Sequence, residues 1–341
     1  MKVIMYGVSL ETVSEQDIAR YRLSAQDKAN HLIDIKQFAG VEEVLLLTSE
    51  FQNEYYLYVD EAQFKHGDFL RYLANYAEKS LKEVILETYS KFADDVMKHL
   101  LAQVSGQERD NYGQELAFKD FSEAILLAQT SQTMGNYLQQ LFQQVLIFNF
   151  KLYDNSGLNP LLTASDHWLK QYVEQNTSLQ NVVIMGRSYE TLYRAFLILY
   201  LTDASVIFCL SDNAQSKQLK SITELINTAQ QRLKIAECGY CYRLATADLI
   251  LMDAQSISPI QLSEMIEEVR QTPKQVTIIS DLDSEAISKD ALAHFKWVTK
   301  SDLTASSYND EQREEAHKLL TELIVTFSAN ELNRIVIEDT L

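Results

Sequence analysis

The chain has 341 residues, 46% hydrophobic and 23% charged, enough for two domains that each bury a core without a structural metal or disulfide. Its formal net charge of −18 is spread evenly over both halves, which leaves no basic stripe of the kind that holds nucleic acid electrostatically. The first apolar run is too short for a signal peptide and the longest, interrupted by Asp203, falls short of a bilayer span, so three cysteines without a secretory segment fit a reducing cytoplasm.

Scarce breakers, 9 glycines and 3 prolines, favour long helices. Residues 2 to 8 read as a strand and Asp17 to Phe38 as a helix closed by Gly40, after which "EVLLLT" begins a second strand. Between it and a third strand, "YYLYVD", lies a polar knot, Thr48 to Glu54. Patterning leaves open whether the knot is a solvated turn or the wall of a site. Helices follow over Gly67 to Ala77 and Leu81 to Gln103, and from Ala117 to Tyr153 the helical pattern hardly pauses. The breaker "DNSGLNP", Asp154 to Pro160, marks a domain boundary.

The second half alternates. "NVVIMG", "ASVIFCLSD", "ADLILMDAQ" and "KQVTIISDLD" read as strands, with helical segments from Arg187, Ala214 and Leu262 between them. That spacing means parallel βαβ units in a doubly wound sheet. A last helix, opened by an Asn309/Asp310 cap, carries an apolar stripe of Ala316, Leu319, Leu320, Leu323, Ile324 and Phe327. It needs a surface to pack on, either its own second domain or a partner subunit. The fold class is therefore α/β: an N-terminal α/β domain over 1–155, a Rossmann-like doubly wound parallel-sheet domain over 156–305, and a C-terminal helix over 306–341.

The turn after the first strand of the second domain, "VVIMGRSYET", stands where a dinucleotide fingerprint belongs. Only Gly186 of the three glycines is present; Ser188 and Thr191 occupy the places of the other two. Asp212, at the next strand end, suits a ribose hydroxyl or, more simply, a helix cap, and no arginine is near for a 2′-phosphate. "CGYC", Cys238 to Cys241, has neither a second pair nor a nearby histidine to complete a zinc site, and reads as two thiols. The six histidines show no metal spacing. No metal site is expected.

The order of pieces resembles the glutamyl-tRNA reductase family of tetrapyrrole biosynthesis. "GVSLET", from Gly7, lies over the family's Gly-x-Asn-His-Lys-Thr segment, keeping the Gly and the Thr. "GVEEVLLLTSEFQNEYYLYVD" lies without a gap over the strand ending in Ser-Thr-Cys-Asn-Arg-Thr-Glu and the strand after it, keeping Gly40, Val41, Glu54 and Tyr56. "HLLAQVSG" at His99, "GQELA" at Gly113, "AILLAQ" at Ala124 and "LFQQ" at Leu141 follow in family register.

The resemblance implies a site at the knot, with Glu50, Glu54 and His99 as catalytic positions, Thr48, Ser49 and Gln52 facing substrate, and Gly186, Arg187 and Ser188 at the NADPH loop. In the family a cysteine thiolate attacks the glutamyl ester of charged tRNA, and NADPH reduces the thioester. Glu50 replaces that cysteine, Gln52 the arginine that clamps the substrate carboxylate, and Gln114 and Glu115 the Glu-Pro of a later motif. The chain stops at Leu341 with part of the family's connecting helix, so its dimerisation domain is expected to be missing and a monomer or weak dimer follows.

These joint losses imply a protein without the reductase reaction, without NADPH or tRNA as ordinary ligands, binding or regulating a tetrapyrrole-pathway protein or a small ligand. The alternative is an enzyme using Glu50, Glu54 and His99 as acid–base groups. The bland readings are a polar residue on an amphipathic helix for His99 and a strand-flanking residue for Glu54.

Overall fold

The computed structural model describes residues 1–107, 114–186, 188–210, 221–223, 232–237, 244–252, 259–270, 276–280, 295–299 and 308–339. Two compact units divide the chain: Met1–Tyr112 with Ala117–Asn149 and Leu320–Leu341, and Gly113–Leu116 with Phe150–Leu319. Arg187, Asp212, Cys238, Cys241 and most of the helix expected from Ala214 lie outside the described residues.

The first unit begins β1 (Lys2–Ser9), α1 (Glu15–Ile18), α2 (Ala25–Lys36), β2 (Val41–Thr48) and β3 (Gln52–Val59). It continues through α3 (His66–Ala77), α4 (Leu81–Glu87), β4 (Tyr89–Phe92), α5 (Asp94–Val104), α6 (Gln114–Thr130) and α7 (Asn136–Lys151). Its sheet runs β2-β3-β1-β4 and is antiparallel throughout. Alternation in β1 and β3 gives way to burial of nearly every residue, as in a strand covered on both faces.

Three helices expected from periodicity are interrupted. The span from Asp17 to Phe38 breaks because Arg22 is extended and Ser24 starts α2 with a capping box, its hydroxyl accepting from Asp27 N while Asp27 accepts from Ser24 N. The span from Leu81 to Gln103 contains β4, which satisfies the outer edge of β1 by pairing Gly7 with Tyr89 and Ile4 with Phe92. The span from Ala117 to Tyr153 parts after Thr130, where Gln132 takes φ 58°. Gly40 does not close α2, which ends at Lys36 with Gln37 as its C-cap; it serves the turn before β2 instead, with φ +79° and a would-be Cβ 2.8 Å from Asp60 O.

What restarts the chain as α7 is a carboxylate from the sheet. Glu43 of β2 is 7% exposed, and its Oε1 and Oε2 accept from the backbone N–H groups of Tyr137 (3.0 Å) and Leu138 (2.7 Å). A negative charge at the N-terminus of a helix satisfies orphan donors and favours the helix dipole. Gly135 makes room for it, since a Cβ there would lie 2.5 Å from Glu43 Oε1.

In the second unit the breaker forms two 3₁₀ turns, Leu152–Asp154 and Ser156–Leu161. Then come α8 (Ala164–Gln175), β5 (Asn181–Met185), α9 (Tyr189–Leu201), β6 (Ser205–Leu210), β7 (Leu233–Glu237) and β8 (Leu249–Met252). After them come α10 (Pro259–Arg270), β9 (Val276–Ser280), β10 (Phe295–Thr299) and α11 (Asp310–Asp339). The six strands are all parallel in the order β10-β9-β8-β5-β6-β7, the doubly wound order with its switch point between β5 and β8. β7 and β10 were not expected from the sequence pattern; each is a short outer strand in which charge and aromatic residues blur the apolar run.

Asn309 caps α11, its Oδ1 accepting from Gln312 N at 2.8 Å. The stripe on this helix is covered by the chain itself: Ala316, Leu320, Ile324 and Phe327 are each at most 8% exposed. Within the first unit Phe327 meets the Phe148 ring at 4.9 Å, and Gln107 donates to the Thr321 hydroxyl. Among the described residues no helix is long and apolar enough to cross a membrane.

Replacing Glu43 by Gln leaves one α7 amide facing an NH₂ group instead of an acceptor. The expected loss is about 1–3 kcal/mol, measured by urea unfolding followed by far-UV circular dichroism. An unchanged midpoint would remove the carboxylate's role.

Candidate functional site

The knot divides into a turn and the start of a buried strand. Ser49 N donates to Gln52 O (2.9 Å) and the Ser49 hydroxyl accepts from Phe51 N (3.2 Å), so the connection between β2 and β3 is closed by its own groups. Glu50 is exposed at its tip, Thr48, Ser49 and Gln52 are half-buried, and Leu10 N reaches Phe51 O at 3.1 Å. Asn53, 7% exposed, donates from its amide to Tyr21 O and thereby ties β3 to the chain before α2.

Glu54 is fully buried, and four side chains converge on its carboxylate. Oε1 accepts from the Tyr89 hydroxyl (2.5 Å), His99 Nε2 (2.7 Å) and Gln103 Nε2 (2.9 Å). Oε2 accepts from the Tyr56 hydroxyl (2.6 Å) and again from Gln103 Nε2 (2.9 Å). Burial alone works against the charge, but the hydrogen bond and positive charge of His99, with the two phenols, hold this carboxyl below its ordinary range. A buried carboxylate is tolerable only when its lone pairs are met, and here they are.

The register makes this convergence possible. Gly7 of β1 pairs with Glu54 on one side and with Tyr89 on the other. A Cβ at Gly7 would lie 2.3 Å from Tyr89 Cζ and 2.6 Å from its hydroxyl oxygen, so only glycine lets the Tyr89 ring cross β1 to the carboxylate. From α5, His99 and Gln103 are one turn apart on the same face.

Of the sequence candidates, the structure therefore brings Glu54 and His99 into contact and leaves Glu50 outside. His99 lies on the amphipathic helix α5, 8% exposed and bonded to a carboxylate, and Glu54 sits inside the sheet rather than at the strand's flank. Gln103, Tyr89 and the opening at Gly7 were missed as parts of the site. The four-residue spacing of His99 and Gln103 was the available signal, whereas Tyr89 was hidden inside an expected helix. The carbonyl Oε1 of Gln103 is buried without a hydrogen-bond partner, an acceptor left open beside the cluster.

In the second unit, the turn from β5 to α9 is filled by its own residues. A Cβ at Gly186 would meet Thr191 Cγ2 at 2.5 Å and Oγ1 at 2.6 Å. Thr191 is 4% exposed; its hydroxyl donates to Ser188 O (2.8 Å) and its N–H to the Ser188 hydroxyl (3.2 Å). Ser188 thus acts as the N-cap of α9. Among the described residues no group of three His, Cys, Asp or Glu could hold a metal. Cys209, 8% exposed at the end of β6, is disulfide-bonded, where cysteine usage suggested reduced thiols.

Two outcomes follow. Gly7→Ala forces Tyr89 off Glu54 and should cost about 2–4 kcal/mol in urea unfolding read by circular dichroism, with Tyr89→Phe costing less, about 1–3 kcal/mol. Because the folded protein holds Glu54 ionised below the ordinary glutamate value of about 4.3, this carboxylate's contribution is complete above that pH and lost as pH falls below it. Acid titration of stability should show that loss in the native protein, and Glu54→Gln should flatten it.

No family model matches the chain. Over 161 residues, 47% of the chain, it is 26% identical to a glutamyl-tRNA reductase of Streptococcus sanguinis, covering 38% of that protein. Over 252 residues, 72% of the chain, it is 22% identical to glutamyl-tRNA reductase of Staphylococcus aureus, covering 54% of it. The chain thus spans about half or less of these curated relatives. A solved structure, glutamyl-tRNA reductase from Methanopyrus kandleri, aligns over 98% of the chain and 80% of its own, at 12% identity and a TM-score of 0.42. The chain is a distant, divergent relative of the glutamyl-tRNA reductases.

Proposed function

We propose that this glutamyl-tRNA reductase-like protein does not carry out NADPH-dependent reduction and serves as a binding or regulatory module in a tetrapyrrole context. The observation that carries this proposal is the β5–α9 turn, where Thr191 fills the space over Gly186 and Ser188 takes up a helix N-terminal amide. A dinucleotide's pyrophosphate needs that space and those amides. The residues present do not fit the cofactor, so no reductive step is derived through it.

The position of the family's nucleophile supports the same conclusion. Glu50 is an exposed carboxylate at a turn, and a carboxylate is a far weaker acyl-transfer nucleophile than a thiolate. The partner is proposed to be a tetrapyrrole-pathway protein or a small ligand rather than tRNA.

The acid–base alternative has one observation in its favour, the 2.7 Å contact of His99 with Glu54. Against it, Glu54 already accepts from four side chains and would have to break that network to take a proton. If such an activity were found, Glu54→Gln should abolish it.

Mixing the pure protein with charged glutamyl-tRNA and NADPH should give no semialdehyde above background, and NADPH should not quench the fluorescence of Trp168 and Trp297. Turnover would sink the proposal outright. Saturable quenching without turnover would overturn the account of the turn alone.

A further inference from the structure

Helix α8 begins with a carboxyl group that does not do what its position invites. Asp166 is the third residue after the Thr163 cap, the place from which Asp27 in α2 and Glu83 in α4 reach back to their caps. Thr163 does its half, its hydroxyl accepting from Asp166 N at 3.2 Å. The Asp166 carboxyl does not complete a capping box; it is fully buried, with the Thr163 and Tyr153 hydroxyls beside it and neither placed to make a well-formed hydrogen bond to its oxygens.

Among the described residues, the cation that faces it, Arg194, is already ion-paired. From the turn before α8 the Tyr153 hydroxyl lies beside the carboxyl and is also joined to the Tyr193 hydroxyl at 2.6 Å. From α9, Arg194 faces it but is ion-paired with Glu190, which also faces it with the opposite charge. Glu115 adds a further negative charge toward Tyr193. An ionised carboxylate buried without donors costs several kcal/mol, and a proton removes that cost.

We infer that Asp166 is held as the neutral acid, and that the junction of the Tyr153 turn, α8 and α9 is a proton-dependent latch that loosens when Asp166 ionises. As a neutral acid its O–H can be donated to the Tyr153 hydroxyl, which is itself joined to the Tyr193 hydroxyl on α9, so one proton links the three elements. Burial also pushes the carboxyl's pKa up, in the same direction. The sign follows: a raised folded pKa means that the folded state binds more protons than the unfolded one. The latch's stability is therefore fullest at or below the ordinary aspartate value, about 3.9, and lost as pH rises toward the folded value. This slope is opposite to that of Glu54. It does not depend on the proposed loss of reductase activity.

Both tryptophans of the chain, Trp168 on α8 and Trp297 on β10, lie in this unit, so tryptophan emission reports its unfolding in the whole protein. Urea titrations are run from pH 4 to 8 on the native chain and on Asp166→Asn. In the native chain the unfolding equilibrium constant should rise with pH, about tenfold for each unit separating the folded from the unfolded pKa. Asp166→Asn should lose that rise. Parallel profiles for the two proteins, or no rise in the native chain, would overturn the inference. Should the variant not fold, carbon-13 spectra of the native chain with labelled aspartate carboxyls decide: one carboxyl titrating above the ordinary range supports the latch, and none doing so overturns it.

Discussion

A buried carboxylate constrains the first unit more than any apolar contact does. Glu54 lies inside a four-stranded sheet, and its charge persists only because Tyr56, Tyr89, His99 and Gln103 all donate to it. Those donors come from β3, β4 and α5, and the one from β4 must cross β1 at a glycine. Removing any one donor weakens the support of a fully desolvated charge, at a cost above that of a bond lost at the surface. The sheet's register, the break that produces β4 and the rotation of α5 about its axis are therefore fixed together. Glu43 repeats the principle at the other edge of the sheet, where a strand carboxylate starts a helix.

The same constraint bears on function. A carboxylate with four donors is a poor proton acceptor and a good organiser of the strands around it. The chemistry of a relative's site would have to pass through the adjacent turn, where Glu50 is exposed and Ser49 and Gln52 are occupied in closing the loop. In the second unit the parallel sheet retains the strand order that places a crevice at the end of β5, while Thr191 and Ser188 take up the space and the amide that a phosphate would use. The doubly wound strand order is thus kept beside a β5–α9 turn that is packed with its own side chains. Function belongs to sites and not to folds.

Much of the fold was legible in the sequence because it rests on local periodicity. The βαβ alternation after Asp154, the cap at Asn309 and the left-handed Gly40 are each decided within a few residues. The failures were equally local. Ser24 and Asp27 form a capping box inside what reads as one helix, and "YSKF" is too short and too polar to announce a strand before β1 offers it an edge. β7 and β10 escaped notice for the same reason, short outer strands gaining their identity from neighbours. Of the candidate site, Glu54 and His99 could be named from the sequence, but their contact could not. Nor could the isolation of Glu50.

By itself the sequence determined the class of each half, the position of the polar knot between two strands, the missing glycines of the nucleotide turn and the resemblance to a reductase family. Hydrophobic period, turn residues and residue identity are properties of neighbours along the chain. Tertiary structure alone decided that Glu54 is a saturated buried charge, that Thr191 folds back over Gly186, and that the Asp166 carboxyl is fully buried. Each of these depends on which groups from distant segments reach one point. That is set by strand register and helix rotation, which the linear order of residues constrains but does not state.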